Sequence, residues 1–294
     1  MSKSYQVLVV GGGAAGLATA ASLKKRDRSL EVAVVEPSDK HYYQPGWTMV
    51  GAGVFTKEDT IKDTDSIWPS DVIRIKDEVI KFDPKNNKVT LGNKTEVGYE
   101  MLVVASGLKL DWEAIEGLSE SLGENGVTSN YRYDLAPYTW ELVQEMNGKN
   151  AIFTQPPMPI KCAGAPQKAM YLSCDHWQKS GQLEGMNVSF CNAGPVLFGC
   201  ATYVPPLMKY VEKYGINLDF GHNLSRIDGP SKKAWFSVKK EGEDAKTIER
   251  SFDMIHVCPP QCAPDFIKNS PLANEGGWVD VNAENLQHNK FSNI

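Results

Sequence analysis

Short apolar runs and one helical stretch alternate over the first forty residues. The run at 5–10 predicts a buried strand, and the Ala/Leu-rich stretch that follows, ending near Arg26, predicts a helix. The segment EVAVVEP predicts a second buried strand. Strands that alternate with helices in this way are typical of a parallel sheet covered by helices.

The pattern changes after residue 70. Short alternating strands are separated there by the turns NN and GN, before an apolar strand, MLVVA, follows. The order strand, turn and helix then recurs, with AIFTQ at 151–155 predicting a strand and APQKAMYLSCDHWQK predicting a helix. The whole pattern predicts an α/β protein with two Rossmann-like, doubly wound, three-layer domains built on a shared plan.

The turn after the first strand reads GGGAAG and contains the G-x-G-x-x-G fingerprint of dinucleotide-binding folds. Gly11 allows a tight turn, Gly13 lets the backbone approach a pyrophosphate, and Gly16 lets the helix pack closely on the strand. The amides of Ala14 and Ala15 lie at the predicted start of the helix. These amides can bind the pyrophosphate.

A carboxylate completes this motif. The second strand ends in Glu36, twenty residues beyond Gly16, where an acidic side chain would bond both ribose hydroxyls. Strand, glycines, helix, strand and acid together predict a bound dinucleotide, and a glycine-rich turn without a ligand is the alternative. Spacing alone leaves NAD and FAD open.

Composition and charge restrict the partners. The 294 residues contain 31 Lys and Arg against 36 Asp and Glu, a net charge of −5, which disfavours nucleic acid. Six irregularly spaced cysteines fit neither a disulfide framework nor a zinc motif, and the histidines are scattered, so no metal site is expected. The apolar runs are too short to span a bilayer, and the N-terminus leaves no room for a leader. Any membrane contact is expected to be peripheral.

Cys162 stands where a second dinucleotide fold would place its glycine-rich turn. The prolines of TQPPMPIKC remove backbone donors from that turn, and the next strand, NVSFCNAG, ends in Asn192 instead of an acid. A nicotinamide donor is therefore disfavoured.

Lys161 and the N-terminus of the following helix both favour a thiolate at Cys162, which is the nucleophilic form. The alternative for any single cysteine is a small buried hydrophobic residue. We expect that role for Cys258 and the others, and a redox role for Cys200 is left open.

Three stretches resemble the sulfide:quinone oxidoreductases, particularly the mitochondrial type: HYYQPGWTMVGAG at 41–53, KCAGAPQK at 161–168 and GWVDVNAENLQH at 277–288. The strands after residue 70 and the ASG turn at 105–107 also resemble the flavoprotein disulfide reductase superfamily, whose two dinucleotide-binding domains are of the glutathione-reductase type. The resemblance implies that FAD is the cofactor. It also implies a domain order of 1–112 for the first FAD-binding segment, 113–258 for the second Rossmann-like domain and 259–294 for an incomplete return to the first.

The resemblance assigns further site residues. Gly107 belongs to the turn that closes the first FAD segment, the backbone near Val79 meets the adenine, and Gln44 contacts the flavin nucleotide. Cys162 is implied to be the catalytic redox cysteine that becomes a persulfide.

The activity implied is oxidation of hydrogen sulfide to sulfane sulfur, which passes to glutathione or sulfite, with electrons delivered to ubiquinone. The implied location is the face of the mitochondrial inner membrane, through a peripheral contact. The family continues beyond HNKFSNI into a second redox cysteine, a quinone pocket and membrane-binding helices, so the chain is expected to be truncated. Three alternatives remain: a type II NADH:quinone dehydrogenase, a flavin-binding subunit that reduces a cytochrome, and a non-catalytic fragment of the FAD fold.

Overall fold

The computed structural model describes residues 3–147, 149–239 and 244–294. Contacts divide the chain into two compact units. Unit 1 contains the residues up to Tyr42 together with Ile61–Lys109 and Cys262–Ile294, and unit 2 contains Tyr43–Thr60 and Leu110–Gln261. The segment 1–112 predicted from the sequence is thus divided, because residues 43–60 pack with unit 2.

The elements of the described residues follow in chain order. The strands are β1 (Ser4–Val10), β2 (Val32–Val35), β3 (Lys40–Tyr42), β4 (Ile61–Asp63), β5 (Ile73–Ile75), β6 (Val79–Asp83), β7 (Lys88–Leu91), β8 (Glu96–Val104), β9 (Lys109–Leu110), β10 (Val127–Thr128), β11 (Asn150–Gln155), β12 (Asn187–Asn192), β13 (Asn217–Phe220), β14 (His222–Asp228), β15 (Lys233–Val238), β16 (Lys246–Ser251), β17 (Met254–His256) and β18 (Gln261–Cys262). The helices are α1 (Ala14–Arg26), α2 (Trp47–Val50), α3 (Thr64–Ile67), α4 (Leu118–Ser121), α5 (Ala136–Glu145), α6 (Ala165–Ser180), α7 (Val204–Tyr214) and α8 (Asp265–Lys268).

Unit 1 is built on a six-stranded sheet with the order β5-β2-β1-β8-β7-β6. The first four strands are parallel, and β7 and β6 continue the sheet as an antiparallel hairpin. Side chains of β1 alternate between two cores, since Leu8 packs in one cluster and Val9 in another. Strands that are buried on both faces explain why β1 and β2 are almost continuously apolar in sequence.

Unit 2 repeats this order. Its main sheet is parallel, with the order β10-β17-β11-β12-β13, and a separate antiparallel sheet contains β14, β15 and β16. Phe153 of β11 is fully buried against Trp177 of α6, while Ile152 faces a second core that includes Phe236. The prediction of an α/β protein with two Rossmann-like folds is confirmed.

The strand order fixes where each unit can hold a ligand. In unit 1, β2 and β5 lie on one side of β1, and β8 lies on the other side. In unit 2, β12 and β13 lie on one side of β11, and β17 lies on the other side. Ligands of such sheets bind outside the carboxyl ends of the strands at this change of direction. That point lies between β1 and β8 in unit 1 and between β11 and β17 in unit 2. Among the described residues, no helix is both long and apolar enough to cross a bilayer.

Candidate dinucleotide and thiol sites

The glycines after β1 differ in the space around them. Gly11 has a φ of +100°, and a Cβ there would lie 2.5 Å from the carbonyl oxygen of Ala105. A Cβ on Gly16 would lie only 1.8 Å from the carbonyl oxygen of Gly11. Gly13, the residue before α1, has no described atom within 4 Å of such a Cβ. Gly11 and Gly16 therefore allow close packing of the backbone. Gly13 leaves open space at the start of α1, where the amides of Ala14 and Ala15 lie.

Glu36 is fixed at the carboxyl end of β2 by two backbone amides. Its Oε2 accepts a hydrogen bond of 2.7 Å from the amide of Gly12, and its Oε1 accepts one of 2.8 Å from the amide of Ser38. A Cβ on Gly12 would lie 2.7 Å from the Cβ of Glu36. Gly12 was not singled out from the sequence, although it is the residue that allows the carboxylate to approach the turn.

The other two residues predicted for unit 1 lie in different settings. Gly107 follows β8 with a φ of +73° and no described atom within 4 Å of a Cβ, so it is open like Gly13. Val79 begins β6, is 5% exposed and packs in the core of unit 1, where it pairs with Leu91. Only the backbone of Val79 is therefore available to a nucleotide.

Cys162 lies in the turn between β11 and α6 and is exposed. Its φ is +58°, a left-handed conformation that is uncommon for any residue other than glycine. Its carbonyl oxygen accepts a hydrogen bond of 2.9 Å from the amide of Ala165, the first residue of α6. The thiol is thus carried beside the N-terminus of a sixteen-residue helix, as the sequence predicted.

Lys161 and Gln44 lie together in unit 2. The ammonium group of Lys161 donates a hydrogen bond to Oε1 of Gln44. Burial lowers the pKa of Lys161, and attraction to the sulfurs of Cys162 and Cys258 opposes that effect. The basic side chain therefore interacts electrostatically with the Cys162 thiol.

Two side chains that the sequence analysis did not identify hold the Cys162 turn. The hydroxyl of Tyr131 donates to the carbonyl oxygens of Lys161 and Cys162, at 3.3 and 3.2 Å. Oε1 of Gln261 accepts a hydrogen bond from the amide of Lys161. Burial raises the pKa of Tyr131, and the neighbouring Cys258 raises it further, so its hydroxyl remains protonated and can donate. Both residues are distant from Cys162 in sequence, and no motif spacing connects them.

Asn192, the last residue of β12, forms hydrogen bonds with the loop that follows it. Asn192 is fully buried; its Nδ2 donates to the carbonyl oxygen of Val196 at 2.9 Å, and its Oδ1 accepts from the amide of Gly194 at 2.8 Å. In a dinucleotide site this position would carry the acid that binds ribose. Here the side chain stabilises the loop.

Comparison with known proteins supplies the family. The model of the pyridine nucleotide-disulphide oxidoreductases matches residues 5–140. A mitochondrial sulfide:quinone oxidoreductase of Dictyostelium discoideum is 41% identical over 292 residues, which cover 98% of this chain and 64% of the relative. The corresponding protein of Schizosaccharomyces pombe is 34% identical, and the match covers all of this chain and 68% of the relative.

The chain belongs to the sulfide:quinone oxidoreductase family. Its fold agrees with the crystal structure of the sulfide:quinone oxidoreductase from Aquifex aeolicus, with a TM-score of 0.82, 21% identity, and coverage of 100% of this chain and 67% of that one. The chain spans 64% of the length of the Dictyostelium relative.

The predicted residues of this chain lie in two groups. Gly11, Gly13, Gly16 and Glu36 surround one turn of unit 1, whereas Gln44 belongs to unit 2 beside Lys161. Among the described residues, no group of three His, Cys, Asp or Glu side chains is arranged to hold a metal.

Proposed function

We propose that this chain is the FAD-binding and thiol-bearing portion of an enzyme that oxidises hydrogen sulfide to sulfane sulfur and delivers the electrons to ubiquinone. The observation that carries the proposal is Cys162, an exposed thiol beside the N-terminus of α6, at the point of unit 2 where a Rossmann fold binds its ligand. The sulfane sulfur would pass to a small acceptor such as glutathione or sulfite. The names of the relatives support a mitochondrial location, and we propose a peripheral one at the inner membrane.

Unit 1 fits the dinucleotide. Open space at Gly13 and Gly107 leaves room for a pyrophosphate against the backbone, and the amides of Ala14 and Ala15 at the start of α1 would hold it. Glu36 is already held at the end of β2, and its carboxylate would bind ribose hydroxyls. The backbone of Val79 would meet the adenine. FAD, when bound, supplies the two-electron acceptor.

Cys162 performs the sulfur chemistry in this proposal. The helix N-terminus and Lys161 place positive charge beside its sulfur, which would carry the sulfane sulfur as a persulfide. Tyr131 and Gln261 hold the turn that presents it. Gln44 orients Lys161 by accepting a hydrogen bond from its ammonium group, and we assign it a flavin contact as well.

Replacing Cys162 with Ser is expected to abolish bleaching of bound flavin by sulfide under anaerobic conditions, because the nucleophilic sulfur is lost. Flavin content should be unchanged, since Cys162 belongs to unit 2 and the nucleotide turn to unit 1. Cys200→Ser is the matched control, because it removes another exposed thiol of unit 2, and it should bleach like the wild type. Bleaching retained by Cys162→Ser would overturn the assignment, and a wild-type chain that binds no flavin would support a non-catalytic fragment.

Gly13→Val tests the nucleotide turn. Its side chain would enter open space, so the fold should be retained, while the isopropyl group would occupy the position of the pyrophosphate. We expect flavin affinity to fall by at least about tenfold, measured by equilibrium dialysis, with unchanged far-UV circular dichroism. Unaltered affinity would remove Gly13 from the site.

A type II NADH:quinone dehydrogenase is the second candidate, and the buried Asn192 argues against it. The same anaerobic experiment separates the two, because NADH in place of sulfide should leave the flavin oxidised. Rapid bleaching by NADH would favour the dehydrogenase.

A further inference from the structure

Helices α6 and α7 of unit 2 border a cavity that is lined by none of the site residues predicted from the sequence. Its volume is about 430 Å³, within the range of sites that bind small organic molecules. The stretch 193–208, which forms much of its wall, contains no charged residue. The apolar part of the wall comes from α6, from the loop after β12 and from α7, and consists of Tyr171, Phe198, Tyr203, Pro206, Leu207 and Tyr210.

Contacts between these elements hold the cavity in shape. Gln167 of α6 is 2% exposed, and its Nε2 donates a hydrogen bond of 2.6 Å to the carbonyl oxygen of Leu197, beside Phe198. The ring centres of Tyr171 and Tyr210 lie 6.0 Å apart, so α6 and α7 also meet at the cavity. The space is therefore bounded by contacts within one unit, as expected of a preformed binding site.

Aromatic rings at the cavity remain open to solvent. Tyr203 is 58% exposed and Tyr210 is 50% exposed, and the ring centres of Phe198 and Tyr203 lie 6.3 Å apart. Exposed apolar patches on a folded protein mark binding sites. Aromatic rings prefer offset or edge-to-face neighbours at about 4.5–7 Å. A flat aromatic ligand would therefore complete the contacts of these rings.

Lys168 brings a positive charge to this apolar space. It is exposed and lines the cavity, and no acidic side chain is among the lining residues that the structure describes. The acid farther along α6, Asp175, pairs with Lys179 at 2.6 Å. Burial raises the pKa of Tyr171 to about 12, so its hydroxyl stays neutral. A negative group on a ligand would therefore find a cation at the cavity and no repelling charge.

We propose that this cavity binds a small planar aromatic molecule that carries one negative group, such as an aromatic carboxylate. The aromatic part would pack among the tyrosine and phenylalanine rings, and the carboxylate would pair with the ammonium group of Lys168.

The cavity adjoins the turn that carries Cys162. Gly164 lines the cavity, and the next residue, Ala165, donates its amide to the carbonyl oxygen of Cys162 at 2.9 Å. A bound molecule would therefore lie against the helical turn that holds the thiol. All of the lining residues belong to unit 2, so binding is expected whether or not the chain oxidises sulfide.

The test is equilibrium dialysis of the purified chain at pH 7 with naphthoate and with naphthamide, an uncharged molecule of nearly the same shape. We expect naphthoate to bind saturably at one molecule per chain, and about fivefold more tightly than naphthamide, as an exposed ion pair would contribute. Lys168→Gln should remove that difference and leave the affinity for naphthamide unchanged. Lys209→Gln is the matched control, because it removes an exposed lysine that does not line the cavity.

Tyr210→Ala tests the aromatic wall. Tyr210 is half exposed, so the fold should be retained, and the affinity for both molecules should fall about fivefold because a ring contact is lost. Phe220→Ala removes another exposed ring of unit 2 that does not line the cavity. It should bind both molecules like the wild type.

Several results would overturn the proposal. Equal affinities of the wild type for naphthoate and naphthamide would exclude selection of an anion. An unchanged affinity in Tyr210→Ala, or an equal loss in Phe220→Ala, would place the bound molecules outside the cavity. Binding that appears only as a dimer dissociates, followed by sedimentation, would show that a second copy of the chain covers the cavity. None of these measurements uses flavin or sulfide, so their failure is distinguishable from failure of the proposed function.

Discussion

Gly16→Ala is expected to destabilise unit 1 by about 3 kcal/mol or more, at the upper end of the cost of overpacking. The added Cβ would lie 1.8 Å from the carbonyl oxygen of Gly11, and that oxygen belongs to the backbone and cannot rotate away. Relief requires α1 to move away from β1 by roughly 1.5 Å, which would open the packing of Val9 and its neighbours. Denaturant unfolding followed by circular dichroism measures the loss.

Gly13→Ala is the matched control, because it adds the same methyl group three residues earlier in open space. Its backbone, with φ −71° and ψ −170°, is accessible to alanine. Its unfolding midpoint should stay close to that of the wild type. Equal destabilisation by both variants would contradict the packing argument, because it would show that the turn tolerates no side chain irrespective of space.

The architecture of both units could be predicted from the sequence because it depends on local signals. The glycine fingerprint, the apolar run of β1 and Glu36 at the end of β2 lie within forty residues of each other. The order of strand, turn and helix recurs around Cys162, and it predicted the second Rossmann-like fold in the same way. The segment 43–60 was assigned to the first domain by its position in the chain, yet Trp47 and Val50 pack against Ala136 of α5 in unit 2.

The network around Cys162 could not be predicted, because three distant segments build it. Tyr131 follows β10, Gln261 begins β18, and Cys258 follows β17. Their proximity depends on β17 inserting between β10 and β11, which no spacing in the sequence encodes. Cys258 was interpreted as a small buried residue beside a proline-rich link, and its burial agrees with that interpretation.

His256 makes the fold sensitive to acid. Its ring is fully buried next to Phe153, with 5.9 Å between the ring centres, and its Nε2 accepts a hydrogen bond of 2.9 Å from the amide of Asn130. Nδ1 has no hydrogen-bond partner among the described residues. Burial lowers the pKa of His256 to about 4, against 6.5 for an exposed histidine.

The sign of the effect follows from proton binding. Below pH 6.5 the unfolded chain takes up a proton on this histidine and the folded chain does not, so the free energy of unfolding falls as the pH falls. The contribution of His256 to the free energy of unfolding is fully present above pH 6.5 and is lost progressively toward pH 4. The loss over that window is about 3 kcal/mol. His256→Gln retains a side-chain oxygen that can accept from Asn130 but does not titrate. The free energy of unfolding of the wild type minus that of the variant should therefore shrink by about 3 kcal/mol between pH 7 and pH 4. A difference that stays constant with pH would show that His256 has the same pKa in the folded and unfolded chains, which would contradict the burial argument.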